Sequence, residues 1–301
     1  MPDQTPRSWF AVPAPVAALF RRFPLAVYPP NDLPLRAPSR RDIPTLYVFI
    51  ADDDAPTGRP SFNPSCLKWQ TFLKIAGVDF HVVPSTNHAS PSGALPYLLP
   101  PSPLRPVAGG KLETWALANS TLPKEKQPPS PPEARQQAYQ SLLDHRIRTA
   151  WLHALYLSPA NAPLLSRLYI EPASNNPVVR LALAHQVRSA AETEVLKATR
   201  AAVVDPARVY ADARAALEAL AALLGESPAG GKDGQGGWFF GCDGPTLFDA
   251  SVFAYTHLLL DEEFGWVDRT LPAILEQFPV LVRHRERLAA RYFPDDEGVL
   301  V

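Results

Sequence analysis

Several features that mark particular protein classes are scarce in this 301-residue chain. Its two cysteines, Cys66 and Cys242, lie far apart in apolar surroundings, so no disulfide framework or metal-ligand spacing is evident. No apolar run approaches the ~20 residues of a membrane-spanning helix. The N-terminus lacks the apolar core and small-residue cleavage site of a secretory signal, so secretion is not expected.

Excess charge of either sign is also lacking. The chain has 29 Lys and Arg against 30 Asp and Glu, for a net charge of −1. Because nucleic-acid-binding domains usually carry a strongly basic face, no nucleic-acid partner is expected. Proline is in excess, with 35 residues against 15 glycines. Proline makes up about 5% of residues in an average protein. The rest of the composition is that of an ordinary globular protein with room for two domains.

Residues 1–44 form a proline-rich arm with ten prolines, and with six arginines against three aspartates. The arm is either a disordered leader or a segment that orders on a partner. We favour a partner, because aromatic and arginine side chains are the usual anchors of interfaces. The candidate partner-binding residues are Trp9, Phe10, Phe20, Arg21, Arg22 and Phe23.

Residues 45–122 alternate between strand and helix patterns. The β-branched and aromatic run at residues 45–50 predicts a strand, and apolar residues at 3–4 spacing predict a helix over 62–76 that Gly77 ends. Further strands are predicted over 79–84 and up to Leu99, and a helix starts at Glu113. Since a proline-containing turn precedes the first helix and a proline opens the third strand, this order predicts a thioredoxin-like α/β domain.

The remainder is predicted to be helical. Residues 123–132 are a proline-rich linker, residues 133–294 an all-helical domain and residues 295–301 a tail. Thr246 and Asp249 have the spacing of a capping box that opens a helix. A long amphipathic helical segment is predicted over 178–204, and one further helix from Leu271 to Tyr292. The predicted fold class is therefore an α/β domain followed by an all-α domain.

The turn Asn63-Pro-Ser-Cys66 lies where a redox or glutathione enzyme with a thioredoxin-like domain would hold its nucleophile. In a Cys-X-X-Cys arrangement the reactive thiol is the first one, exposed at the helix N-terminus, where the dipole lowers its pKa. That position is Asn63, which makes it a degenerate active-site position. Cys66 lies one turn into the helix and is interpreted as a small buried hydrophobe. Tyr47 is interpreted as a core residue of the first strand rather than an activating hydroxyl.

No other pattern points to catalysis or to a ligand. The Asp52-Asp-Asp54 run is interpreted as a solvated loop rather than a metal site. The glycine-rich stretch before Trp238 lacks the Lys-Ser/Thr of a phosphate-binding loop, so it is interpreted as a flexible hairpin. We therefore expect no catalytic residue, no cofactor and no metal.

These motifs together resemble a glutathione-transferase-like fold over residues 45–292. The resemblance implies that the Leu95–Pro96 bond is cis and lies beside the first helix, although an ordinary trans proline is the alternative. Glutathione transferases hold the γ-glutamyl end of glutathione with an acid and a hydroxyl at the position of Glu113-Thr114. Pro96, Glu113 and Thr114 would then form a vestigial pocket, open either to glutathione or to an extended peptide.

Within that superfamily, residues 60–77 and 87–96 are similar to the metaxin family. This similarity implies that the chain is a non-enzymatic, peripheral subunit of the sorting and assembly machinery, on the cytosolic face of the mitochondrial outer membrane. The implied partners are an outer-membrane β-barrel core subunit, a second metaxin-like subunit and the C-terminal β-signal of β-barrel precursors, whose insertion the protein would promote. The alternative is a glutathione transferase or related thiol-dependent enzyme, against which Asn63 argues.

Overall fold

The computed structural model of the chain describes residues 43–101, 105–129, 133–225 and 237–294. Almost all of the predicted arm, the end of the linker, most of the glycine-rich stretch and the tail lie outside these ranges. The partner-binding role assigned to the arm therefore stays a prediction, as it does for each of its six candidate residues, Trp9, Phe10, Phe20, Arg21, Arg22 and Phe23.

A four-stranded mixed sheet forms the core of the N-terminal domain. Its strands are β1 (Thr45–Val48), β2 (His81–Pro84), β3 (Tyr97–Leu99) and β4 (Val107–Ala108), in the order β2-β1-β3-β4. β2 runs parallel to β1, while β3 is antiparallel to both β1 and β4. Alternate residues of β1 are fully buried, which is the period expected of a strand. The sequence patterns did not predict β4.

The first helix, α1 (Pro64–Ile75), follows β1 after a long loop. Pro64 occupies its first turn, where the missing N–H has no intrahelical partner to lose. Gly77 ends it with φ +66°, and a Cβ there would lie 2.7 Å from Leu122 Cγ, so both the backbone conformation and the close approach favour glycine. The predicted helix and its glycine stop are confirmed.

The second helix and the linker follow β4. Helix α2 (Lys111–Ala118) begins two residues earlier than predicted, and a short 3₁₀ turn (Lys124–Lys126) lies in the linker.

The described part of the C-terminal domain is helical. Helix α3 covers residues 133–157 and contains two π-helical segments, Leu143–Ile147 and His153–Leu157. The next helical stretch, α4, covers residues 159–173 in short α, 3₁₀ and π turns. The remaining helices are α5 (Pro177–Thr199), α6 (Pro206–Gly225), α7 (Leu247–Leu260), α8 (Thr270–Glu276) and α9 (Pro279–Tyr292).

Two helix predictions were wrong in their limits. The predicted helix from Leu271 to Tyr292 is two helices, α8 and α9, because Pro279 cannot donate the backbone hydrogen bond that would continue the first one. The segment predicted to reach Val204 ends at Thr199, since Arg200 takes a left-handed conformation with φ 51°.

Helix α7 joins the two domains described above. Most of its side chains are buried, and it packs chiefly against α1. The predicted capping box is confirmed, since Thr246 Oγ1 accepts from Asp249 N while the Asp249 carboxylate accepts from Thr246 N at 2.8 Å. Lys74 of α1 adds a second link between the domains, because its Nζ donates to Tyr292 O at 2.8 Å.

Candidate functional site

The candidate site surrounds the N-terminus of α1, which a thioredoxin-like enzyme would use for its nucleophile. Asn63 Oδ1 accepts from the backbone N–H of Ser65 (3.0 Å) and of Cys66 (3.2 Å), so the side chain is the N-cap of the helix. Its Nδ2 donates to the Tyr169 hydroxyl at 3.0 Å. Both ends of the amide are therefore engaged in hydrogen bonds within the protein.

Cys66 lies inside the first turn of α1 and is fully buried. Burial raises the pKa of its thiol to about 12, even though hydrogen bonds with Phe49 and Ser61 act in the opposite direction. The thiol therefore stays protonated at neutral pH, and thiolates are the reactive form of cysteine. The interpretation of Cys66 as a buried hydrophobe is confirmed.

Aromatic rings cluster around Tyr169, the hydrogen-bond partner of Asn63. The ring of Tyr169, from α4, meets Phe49 and Phe62 edge-on at centroid distances of 5.2 and 5.3 Å, and Tyr156 lies 5.9 Å away. Burial and the neighbouring Tyr156 raise the pKa of Tyr169 well above its usual value. The hydroxyls of Tyr156 and Tyr169 therefore serve as neutral hydrogen-bonding groups at neutral pH.

The sequence patterns did not predict Tyr169, which brings the second domain into the site. It follows an ordinary apolar stretch, and nothing in its neighbourhood along the chain marks it as a partner of a residue 106 positions earlier. Only the pairing of the domains places its hydroxyl on the helix N-terminus.

Pro96, the next predicted residue of the pocket, stands immediately before β3. The Leu95–Pro96 bond is cis, as the resemblance implied. Pro96 precedes Tyr97, which pairs with Tyr47 near the end of β1, and their rings stack at 4.5 Å. Tyr47 is partly buried and packs against the core without belonging to it, so its interpretation as a core residue is confirmed only in part. Asn87 Oδ1 accepts from Leu95 N at 2.9 Å, so the backbone donor next to Pro96 is already occupied.

The predicted acid and hydroxyl stand in the first turn of α2, where Glu113 is partly buried and Thr114 exposed. The ammonium of Lys68, on α1, lies within electrostatic range of Glu113 and Asp144. Burial lowers the pKa of Lys68, and these two carboxylates oppose that effect. Glu113 thus already has a protein cation nearby, which disfavours a ligand ammonium. In the ranges that the structure covers, no hydrogen bond joins Glu113 or Thr114 to Asn63, and their role as a pocket stays a prediction.

Ionisation is disfavoured in the thiol and phenol groups gathered around the start of α1. The pKa values of Cys66, Tyr156 and Tyr169 are all raised, with burial the largest cause in each case. The arrangement is therefore suited to hydrogen bonding and packing between domains. Among the residues described, no group of three or more His, Cys, Asp or Glu side chains could hold a metal ion, and no helix is long and apolar enough to span a membrane.

Comparisons with protein families agree with this architecture. Residues 64–161 match the model of the glutathione S-transferase N-terminal domain, and residues 213–288 match that of the glutathione S-transferase C-terminal domain. The chain therefore carries both domains of a glutathione-transferase-like protein. A comparison with curated protein sequences gave no match.

Solved structures of glutathione transferases share the fold at low sequence identity. A glutathione S-transferase of Ceriporiopsis subvermispora, in complex with glutathione, is 16% identical with a TM-score of 0.51; the match covers 82% of this chain and 96% of that one. A family member from Pseudomonas fluorescens with two glutathione bound is 12% identical with a TM-score of 0.47, and the match covers 83% and 89% of the two chains. The predicted fold class, thioredoxin-like followed by helical, is confirmed.

Proposed function

We propose that this protein is a non-catalytic, peripheral subunit of the sorting and assembly machinery of the mitochondrial outer membrane. The observation that carries the proposal is Asn63, an amide in the nucleophile position with both of its ends bonded within the protein. An amide at this position cannot supply a thiolate or alkoxide. Cys66, the nearest thiol along the helix, has its pKa raised to about 12.

The particular role rests on the sequence. Residues 60–77 and 87–96 resemble the metaxin family, and with the proline-rich arm they are most similar to its fungal thirty-five-kilodalton subunit. Such a subunit would lie on the cytosolic face of the outer membrane. It would bind the β-barrel core subunit and a second metaxin-like subunit, help to recognise the β-signal of barrel precursors, and promote their insertion. Its basic, aromatic arm is the proposed contact with the barrel.

Membrane fractionation tests this role. The full chain should sediment with outer membranes and should be extracted by alkaline carbonate, as a peripheral protein is. A chain lacking residues 1–44 should move to the soluble fraction. Full-length protein that stays soluble in cells would contradict the peripheral role, whereas unchanged retention of the shortened chain would contradict only the function of the arm.

The alternative, a glutathione transferase or related thiol-dependent enzyme, draws on Glu113 in the first turn of α2. Glutathione-agarose separates the two functions. We expect no retention, because Asn63 stands where the thiol or hydroxyl that activates glutathione would be required. Specific elution by free glutathione, together with turnover of an electrophile, would favour the enzyme.

A further inference from the structure

Helix α5 carries most of the large apolar side chains that are exposed in the described part of the chain. Four of the six such side chains lie on this helix or in the connection that follows it, namely Val178, Val179, Leu181 and Val203. Val178 and Leu181 are 74% and 73% exposed, and none of residues 177–190 is buried. Single exposed apolar side chains are common, whereas a cluster of them marks an interaction surface.

The exposed side of α5 has the spacing of a seam between paired helices. This seam is formed by five residues at intervals of three, four, three and four: Val178, Leu181, His185, Arg188 and Glu192. Such intervals place side chains on one side of a helix, and Leu181, Arg188 and Glu192 indeed line the same groove. A seam with this spacing packs against a second helix at a shallow crossing angle. The surface therefore suits a helix as its partner.

Two charged side chains of the seam lack partners within the protein. Among the residues that the structure describes, neither Arg188 nor Glu192 takes part in an ion pair or a hydrogen bond. The neighbouring Glu194, by contrast, lies 3.6 Å from Arg148. Arg188 precedes Glu192 by four residues, which is the weaker order for an ion pair within one helix. Each of the two charges is therefore available to a partner.

We propose that the protein forms a homodimer in which two copies of α5 pair antiparallel across a two-fold axis near residue 190. A two-fold interface is self-complementary, so Arg188 of each copy faces Glu192 of the other and both ion pairs form together. Because a helix rises about 1.5 Å per residue, Val178 lies about 18 Å from the axis. It therefore reaches the far end of the second copy's α5, which the exposed Val203 follows.

The charges of the seam select a second copy as the occupant. One base and one acid together give the seam no net charge, so it offers no electrostatic attraction to an anionic membrane surface or to a strongly charged peptide. The same seam in the opposite direction supplies both matching charges and the apolar side chains that cover Val178 and Leu181. This interface is separate from the function proposed above and does not depend on it.

Sedimentation velocity of the purified full chain over a range of micromolar concentrations tests the proposal. The fraction of dimer should increase with concentration for the wild type. Leu181→Asp places a carboxylate in the apolar part of the seam and should weaken the dimer by about tenfold or more. Val267→Asp is the matched control, because Val267 is 66% exposed but lies between α7 and α8. It should leave the dimer affinity within about twofold, and circular dichroism checks the fold of both variants.

Charge reversal tests the antiparallel pairing. Arg188→Glu and Glu192→Arg each place like charges opposite one another, so each should weaken its own homodimer by about tenfold. Mixed in equal amounts, the two variants should form a heterodimer, because each then supplies the charge that the other lacks. The proposal is overturned if the wild type stays monomeric at every concentration, if Leu181→Asp and Val267→Asp have equal effects, or if mixing the two charge variants restores no dimer.

Discussion

Single residues decide what the start of α1 can do. Asn63 caps the helix with its oxygen and binds Tyr169 with its nitrogen, so one side chain stabilises both the helix and the contact between domains. A thiol or hydroxyl at this position could cap the helix too, and could then ionise or attack. The amide keeps the structural part of that role and has no ionisable proton near neutral pH.

Replacing Asn63 separates its two contacts. Asn63→Ala removes both and should destabilise the protein by about 1–2 kcal/mol, as loss of an N-cap does. Asn63→Asp keeps the cap oxygen but loses the donor to Tyr169, so it should fall between alanine and the wild type. Urea denaturation monitored by fluorescence measures both changes. An alanine variant as stable as the wild type would contradict the role of the cap.

The buried thiol should be inert in the folded protein. Because burial raises the pKa of Cys66 to about 12, almost no thiolate exists at pH 8. A Cys242→Ser variant, in which Cys66 is the remaining cysteine, should react with Ellman's reagent only after unfolding in guanidinium. The matched Cys66→Ser variant reports on Cys242, which is partly exposed. Rapid labelling of native Cys66 would show that the thiol is accessible and ionised.

Local sequence identified the key position but not its partners. Asn63, Pro64 and Cys66 can be recognised in the sequence as a helix start, because the hydrogen bonds of Asn63 within α1 are local. Tyr169 and the cation at Lys68 were missed, because both depend on how distant elements pack. No pattern within a window of a few residues contains that information.

At the scale of elements, the start of α7 holds a buried carboxylate with several hydrogen-bond partners. Besides closing the capping box, the carboxylate of Asp249 accepts from Phe239 N at 3.2 Å and lies 2.9 Å from His284 Nε2. Asp249 and His284 are both fully buried. The N-terminus of α7 is thereby tied to α9 and to the turn before it.

Alanine substitutions of the two capping-box residues should therefore destabilise the protein to different extents. Thr246→Ala removes one cap acceptor and should destabilise by about 1 kcal/mol, while Thr246→Ser, which keeps the hydroxyl, should be close to the wild type. Asp249→Ala also leaves buried groups without partners, each costing about 1–3 kcal/mol, so its effect should be clearly larger. Thermal unfolding ranks the variants. Equal costs for the two alanine variants would contradict the network.

The elements that the sequence predicted well are the strongly periodic ones. Burial of alternate residues in β1 and the apolar spacing in α1 follow directly from their periods. The two-residue strand β4 is too short to have a period. The break at Pro279 was missed because apolar spacing continues on both sides of it, although the proline itself was a visible signal.

At the scale of the whole molecule, the contact between α7 and the end of α9 contains a histidine that should make the fold sensitive to acid. His257 stacks on Phe253 at 5.0 Å and is 7% exposed. Burial, with a smaller effect of Arg285, lowers its pKa to about 3. Between pH 6.5 and 3 the unfolded chain therefore binds a proton that the folded chain does not. Stability falls as pH decreases through this window.

A His257→Phe variant should reduce that sensitivity. In the wild type, the free energy of unfolding should decrease by up to about 1.4 kcal/mol per pH unit below pH 6.5 from this residue. Phenylalanine binds no proton, so the free energy of unfolding of the variant should change less with pH between pH 6.5 and 4. Urea denaturation at several pH values compares the slopes. Identical slopes would mean that His257 is accessible to protons in the native state.

The two-domain architecture was largely predictable from the sequence, whereas the function was not. Motifs at Asn63, Pro96 and Thr246 follow the chain in the order of a glutathione-transferase-like fold, and the family matches agree with it. The proposed role depends instead on partners, which no intramolecular contact identifies. The central claim is that this fold acts here as a binding subunit rather than an enzyme.

The most direct test of that claim is affinity isolation of the tagged full-length protein from its native membranes in mild detergent, with bound proteins identified and quantified by mass spectrometry. We predict stoichiometric recovery of an outer-membrane β-barrel together with a second metaxin-like chain. Recovery of the protein alone, from the soluble fraction and with glutathione-dependent turnover, would contradict the account.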